Sequence, residues 1–210
     1  ENITVINNGL DTDEFSPEDN SKRREYRLIT TASADVPLKG LDFSLKALKK
    51  LKKDFPNIHL VVIGTIKKGG HTEKLIKKLG IDNDVIFKSN LTKNEIKKCY
   101  SKSSIAIVSS LYEGFGYPVI EAMSCEVPLI ATNVSSIPEL TLNFAKLIEP
   151  KNEEMIYESV KDILTNYDKY KKIAFQGREH VINEFNWIKI TKEYENIIFE
   201  TIKDFKNANV

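Results

Sequence analysis

The chain has 210 residues, 41% apolar and 29% charged, the make-up of a soluble globular protein of one domain or a domain with an appendage. Its formal charge of +1 supplies no bulk field for nucleic acid, and its many lysines are balanced by acids and mark solvated helix faces. Two isolated cysteines, Cys99 and Cys125, make no disulfide framework, no apolar run reaches the ~18 residues of a membrane span, and the polar N-terminus carries no signal peptide, so a reducing, cytoplasmic location is expected.

The chain lacks an initiator Met and opens on what reads as a strand, Ile3-Thr4-Val5-Ile6, so a piece of a longer chain is expected. Asn8-Gly9 favours a turn ahead of Leu10 and Asp11. Residues 16–26 are polar and charged and read as an exposed loop. Leu28 to Ala32 is strand-like. Beyond the loop Ser33-Ala34-Asp35-Val36-Pro37-Leu38-Lys39-Gly40, the residues Leu41, Leu45, Leu48 and Phe55 recur at helical spacing, with lysines opposite. Lys39 stands at that helix start, where a cation opposes the helix dipole. Ile58 to Gly64 reads as a second buried strand, in which His59 is a strand residue rather than a ligand. Lys67 to His71 reads as a flexible, basic, solvated turn without the Gly-Lys-Ser/Thr ending of a P-loop. A helix then runs to Leu79 and stops at Gly80. Val85-Ile86-Phe87 is a third strand, and Thr92-Lys93-Asn94-Glu95 has the form of a capping box for a helix that buries Ile96, Cys99 and Tyr100.

Ile105 to Val108 and Pro128 to Thr132 are short apolar runs of the buried-strand kind. Between them lie Glu113-Gly114-Phe115-Gly116-Tyr117-Pro118-Val119-Ile120-Glu121-Ala122-Met123, a glycine-rich turn and a short helix. Pro118 suits the first helical position, and Gly114 and Gly116 let backbone approach a ligand closely. The free N–H groups of that helix start face the strand end, a natural place for phosphate. Glu113 and Glu121 flank seven residues, so both carboxylates are expected to face one crevice. Ala145 to Ile148 reads as a final strand, Asn152 as the cap of a helix burying Ile156, Val160 and Ile163, Tyr170 to Phe185 as another helix, and Trp187 as the start of the last one. Strand–helix alternation with apolar runs predicts a Rossmann-like three-layer α/β/α domain with a parallel sheet, plus C-terminal helices. Such sheets bind ligands at the carboxyl ends of their strands, where Lys39, residues 114–117, Glu113 and Glu121 all gather.

The Glu-Gly-Phe-Gly-x-Pro-x-x-Glu-Ala-Met run resembles the E-x7-E signature of family 4 retaining glycosyltransferases, which have the GT-B fold. There it belongs to the C-terminal half, which binds the nucleotide sugar. Asn8-Gly9-Leu10-Asp11…Phe15 resembles the segment through which the family enters that half, and Pro138-Glu139-Leu140 a segment at the rim of the donor site. The resemblance implies a donor-binding domain over residues 1–186, and a C-terminal helix over 187–210 that crosses back toward an N-terminal domain absent from this chain. It implies that Glu113, the catalytic residue, meets the transferred sugar, and that Glu121 holds the ribose hydroxyls. Gly114, Phe115, Gly116, Tyr117 and Pro118 meet sugar and phosphates through backbone. Lys39 of Lys39-Gly40 contacts the diphosphate, and the backbone near Leu91 frames the nucleobase. The family's phosphate-binding Arg is missing: Ser33 or Ala34 stands in its place, and a hydroxyl cannot grip phosphate bidentately.

The function so implied is transfer of a sugar from a nucleoside diphosphate sugar to a glycan, lipid or small molecule, with the isolated domain expected to be inactive. No cofactor and no bound metal are expected. The partners implied are the donor and the N-terminal domain, with peripheral membrane association of the whole enzyme allowed for. A nucleotide-sugar epimerase of the same architecture, or a non-catalytic nucleotide-binding module, is the alternative; the first needs acid and base residues that the sequence does not place.

Overall fold

The computed structural model describes residues 3–18 and 23–208. Six strands, β1 (Arg24–Thr31), β2 (His59–Ile63), β3 (Val85–Lys88), β4 (Ser103–Val108), β5 (Leu129–Thr132) and β6 (Lys146–Ile148), form one parallel sheet in the order β3-β2-β1-β4-β5-β6. Eight helices connect or follow them: α1 (Leu41–Asp54), α2 (His71–Leu79), α3 (Lys93–Ser101), α4 (Tyr117–Ser124), α5 (Ile137–Thr141), α6 (Glu153–Thr165), α7 (Tyr167–Glu184) and α8 (Trp187–Ala208). This is the expected three-layer α/β/α domain.

Alternation along each strand sorts the core into two layers. Leu28, Leu60, Val62, Ile105, Ile107 and Ile130 point to the side of α1, α2 and α6. Ile29, Val61, Ile63, Ala106, Val108 and Ala131 point to the side of α3, α4 and α7. Burial on both faces is why these strands read as continuous apolar runs. The chain winds from β1 outward to β3, then returns across to β4 and continues to β6. β1 and β4 are therefore neighbours from which the helical connections diverge, the place where such sheets open a ligand crevice.

Local signals hold closely. Thr92 and Glu95 form a reciprocal capping box, Gly80 closes α2 in the left-handed conformation, and Asn152 Oδ1 caps α6 through the Met155 N–H at 2.9 Å. Four expectations are corrected. Residues 3–6 form no strand, since Ile3 and Val5 are exposed and Leu10 makes only an isolated parallel bridge to Asn186. Strand β1 begins at Arg24, inside the expected loop, because Arg23 anchors the chain there; residues 19–22 of that loop lie outside the described residues. Pro118 is the second helical residue of α4, after Tyr117. The Lys67–His71 turn is tied down, with the Gly69 N–H donating to Glu73 Oε2 at 2.7 Å and Asp35 packed on Gly70.

The Arg23 guanidinium donates to the carbonyls of Ser103, Cys125 and Glu126 at 2.9, 2.9 and 2.8 Å, and more distantly to Tyr100 and Ser101 at 3.4 and 3.5 Å. The carbonyls of Tyr100, Ser101, Cys125 and Glu126 lie at or just beyond the C-terminal ends of α3 and α4, where the dipole favours a cation, and that of Ser103 opens β4. Hydrogen bonds to a charged group contribute about 1.5–3 kcal/mol each and are not additive within one group, so Arg23→Ala is expected to destabilise the fold by about 3 kcal/mol in urea unfolding. Arg23→Lys should recover little of this, because an ammonium cannot span both helix ends. A loss under about 1 kcal/mol would show the clamp to be dispensable.

Candidate functional site

The site is built where two connections meet at the β1/β4 switch point. After β1, a single 3-10 turn, Pro37–Lys39, delivers Lys39 and ends on Gly40 at φ 61°. A Cβ on Gly40 would lie 1.9 Å from the Ser109 carbonyl oxygen, so glycine is required both by its backbone angle and by the approach of the segment after β4. The two segments are stitched together: the Leu111 N–H donates to Leu38 O at 2.7 Å, the Ser109 hydroxyl donates to Gly40 O at 3.0 Å, and the hydroxyls of Ser44 and Ser109 lie 2.9 Å apart.

That stitch places Lys39 Nζ 2.7 Å from Glu113 Oε1. The same oxygen accepts from the Ser110 hydroxyl at 2.6 Å. The Glu113 side chain is 8% exposed and Lys39 32%, so the carboxylate is enclosed while the ammonium reaches the surface. Burial of a carboxylate demands such partners. The backbone of the turn is held from the far side by Ser136, whose hydroxyl donates to Phe115 O and, at 3.3 Å, to Glu113 O. Gly116, at φ 112°, turns the chain into α4, and a Cβ there would press on Leu140 at 3.0 Å. Gly114 is exposed and faces open space, and Gly116 supplies no side-chain cap to the helix start. The Phe115 ring is edge-on to Tyr117 at 5.3 Å and to Phe185 at 6.1 Å.

Glu121 belongs to a second hydrogen-bond system. Its Oε2 accepts from the Tyr100 hydroxyl at 3.2 Å, and that hydroxyl also lies 3.0 Å from Thr31 Oγ1, at the end of β1. With only this partner, burial pushes the Glu121 carboxyl up to about 7, while the Tyr100 hydrogen bond works the other way. Ser33 is exposed in the loop after β1, its backbone against Gly64, and Leu91 packs half-buried on the core just before α3. Ser110, Ser136 and Tyr100 complete the arrangement. Among the described residues, no group of three or more His, Cys, Asp or Glu is placed to hold a metal ion.

The family model for glycosyl transferases group 1 matches residues 12–180. The chain belongs to this family. It is 31% identical over 190 residues to the MMP alpha-(1->4)-mannosyltransferase of Mycolicibacterium hassiacum, a match covering 89% of this chain and 46% of that protein. The chain thus spans about half the length of the curated relatives it matches. The C-terminal domain of the group 1 glycosyl transferase LpcC from Francisella tularensis superposes with a TM-score of 0.75 at 27% identity, covering 85% of this chain and all of that one. HepE from Anabaena, solved with UDP-glucose, superposes with a TM-score of 0.83 at 18% identity over 94% of this chain and 57% of its own. The architecture is that of the C-terminal half of GT-B glycosyltransferases.

Glu121 generates a stability prediction. Its folded value near 7 exceeds the ordinary 4.5, so the folded chain holds the proton more tightly than the unfolded one. The resulting stabilisation is fully present below the unfolded value and is lost as pH rises toward 7. Glu121→Gln, which never ionises, is expected to raise the melting temperature clearly at pH 8 and hardly at pH 4. An equal change at both pH values would mean that Glu121 ionises normally in the folded chain.

Proposed function

We propose that this chain is the donor-binding part of a retaining glycosyltransferase, which moves a sugar from a nucleoside diphosphate sugar to a glycan, lipid or small-molecule acceptor. The observation that carries this reading is the contact of Lys39 with Glu113 at the β1/β4 switch point, beside the uncapped start of α4. Family membership supports it over an epimerase or a non-catalytic nucleotide-binding module. HepE, of the same fold, is known with UDP-glucose bound, which makes UDP the first donor nucleotide to try.

In this reading the diphosphate lies over the exposed Gly114 and the N-terminus of α4, with Lys39 as its cation. Fixed N–H dipoles and an ammonium suit a leaving group whose negative charge grows as the bond from sugar to phosphate breaks. Glu113, an acceptor-only carboxylate, takes hydroxyls of the transferred sugar, and Glu121 takes those of the ribose. Backbone near Leu91 frames the base, and Ser33 offers a hydroxyl where relatives of the resembling family carry Arg. Positive charge thus comes from Lys39 and backbone, with no resident metal or cofactor. The other half of the cleft, including most acceptor contacts, belongs to an N-terminal domain against which α8 packs; along α8, Ile188, Ile198 and Phe199 are exposed here. The whole enzyme works in the cytoplasm, with peripheral membrane contact compatible with a lipid acceptor.

A thermal-shift screen of UDP, GDP, ADP and their sugars tests donor binding, and transfer by the chain joined to its N-terminal half tests the reaction. Turnover near 1 s⁻¹ by the isolated chain would overturn the half-site reading. Lys39→Ala should weaken diphosphate binding and leave the bare nucleoside nearly unchanged; equal losses would place Lys39 outside the phosphate site.

Because Glu113 occupies Lys39, the two side chains are coupled. Glu113→Gln should release the ammonium and tighten the bare diphosphate by about 1 kcal/mol, roughly fivefold, while weakening the sugar nucleotide relative to it. Calorimetry with UDP and UDP-glucose reads both effects. Weaker binding of the bare diphosphate would mean that Glu113 orients Lys39 more than it competes for it.

A further inference from the structure

We propose that Tyr100 is a positioning residue for donor binding, its buried hydroxyl fixing the Glu121 carboxylate against the end of β1. The inference rests on Glu121 holding the ribose. Tyr100 lies on α3, is 1% exposed, and reaches three oxygens: Thr31 Oγ1 at 3.0 Å, Glu121 Oε2 at 3.2 Å and Pro118 O at 3.5 Å. A phenol has one proton to give. Given to the carboxylate, its nearest acceptor-only partner, it leaves the phenol oxygen to accept from the Thr31 hydroxyl. A directed chain then runs from Thr31 through Tyr100 to Glu121 Oε2. Among the described residues Oε1 has no protein hydrogen bond, so it is the oxygen presented to a ligand.

This arrangement does two things for a ribose diol. It freezes a side chain with three rotatable bonds before the ligand arrives, so less ordering remains to be done on binding. It also favours the charged carboxylate in a buried place that otherwise opposes it, because the phenol donates to the ionised form. The titratable side chains with a hydrogen bond to α4 from its neighbours are Tyr100 of α3, on Glu121 and Pro118 O, and Arg178 of α7, on Ser124 O, with Cys125 at the helix end. Of these, Tyr100 is the one whose hydrogen bond acts on Glu121, and burial pushes the Cys125 thiol up to about 12, so it stays neutral through the working range. Thr31 is the last residue of the strand whose following loop carries Lys39, so the same strand end sets both the cation and the carboxylate.

The test is calorimetry on the chain between pH 6 and pH 8. The probes are whichever of UDP, GDP and ADP shifts melting most, and its 2′,3′-dideoxy analogue. The ratio of the two affinities isolates the diol and cancels the titration of the diphosphate. Wild type should prefer the ribose form, increasingly as pH rises through about 7. Tyr100→Phe should cut that preference on the order of tenfold and move its midpoint to higher pH, with dideoxy binding unchanged. Thr31→Val should act in the same direction more weakly, and it carries the test if Tyr100→Phe does not fold. A wild-type preference whose size and pH midpoint survive both substitutions overturns the positioning role alone. A wild type indifferent to the diol, or binding no nucleoside diphosphate, overturns the ribose role of Glu121 and this inference with it.

Discussion

The close approach of Gly40 to Ser109 is the constraint on which the site depends. Parallel strands β1 and β4 are neighbours in the sheet, yet their following connections leave in opposite directions. Something must hold those connections together at the top of the sheet. Here it is backbone against backbone, with no room for a Cβ, sealed by the hydroxyls of Ser44 and Ser109 and by the Leu111 to Leu38 hydrogen bond. Only this contact brings Lys39, which β1 delivers, to Glu113, which β4 delivers, although 74 residues separate them. A buried carboxylate at the end of β4 would otherwise face desolvation with a serine hydroxyl alone.

The two glutamates of the motif have opposite electrostatic settings. Glu113 is neutralised locally by an ammonium and held by Ser110. Glu121 has no cation partner among the described residues and is pushed toward neutrality by burial. Lys39 and Glu113 therefore balance one another, while the second carboxylate, pushed up to about 7, is partly protonated at neutral pH. In the proposed donor site a dianionic diphosphate would draw Lys39 away from Glu113. With Ser33 at the position where the resembling family has Arg, no second fixed cation stands in the β1 loop to share the load. In the proposed donor site, affinity for phosphate and proximity of Glu113 to the sugar would be opposed demands on one lysine.

Much of this was legible in the sequence because the signals are local. Period-two and period-3.6 patterns located the sheet and the long helices, and Thr92…Glu95, Gly80 and Asn152 marked helix ends. The errors share a cause. Ile3–Ile6 has strand composition but pairs with no strand among the described residues, and residues 24–26 look like loop because Arg-Glu-Tyr gives no apolar run, although the backbone there pairs with Ser103. Likewise α5 is five residues long, too short for periodicity to show. Ser110, Ser136 and Tyr100 escaped for a different reason. Ser110 reaches Glu113 only three residues along, whereas Ser136 and Tyr100 bond to residues distant in sequence, and neither a serine nor a buried tyrosine carries a pattern that distinguishes such bonds from ordinary packing.

The two ends of the described chain bear on the site through one aromatic contact. The Leu10 N–H donates to Phe185 O at 2.6 Å, and the Trp187 indole lies flat enough on Gly9 that a Cβ there would fall 2.5 Å from the ring. The junction of α7 and α8 is thus pinned by the N-terminal segment rather than by α8 itself, most of whose apolar residues remain exposed. Phe185, in the middle of that junction, is buried and meets the ring of Phe115 edge-on. Phe115 in turn sits between Gly114 and Gly116, the two residues whose backbone shapes the start of α4. Phe185 and Phe115 thus link the start of α8 to the glycine turn by direct packing.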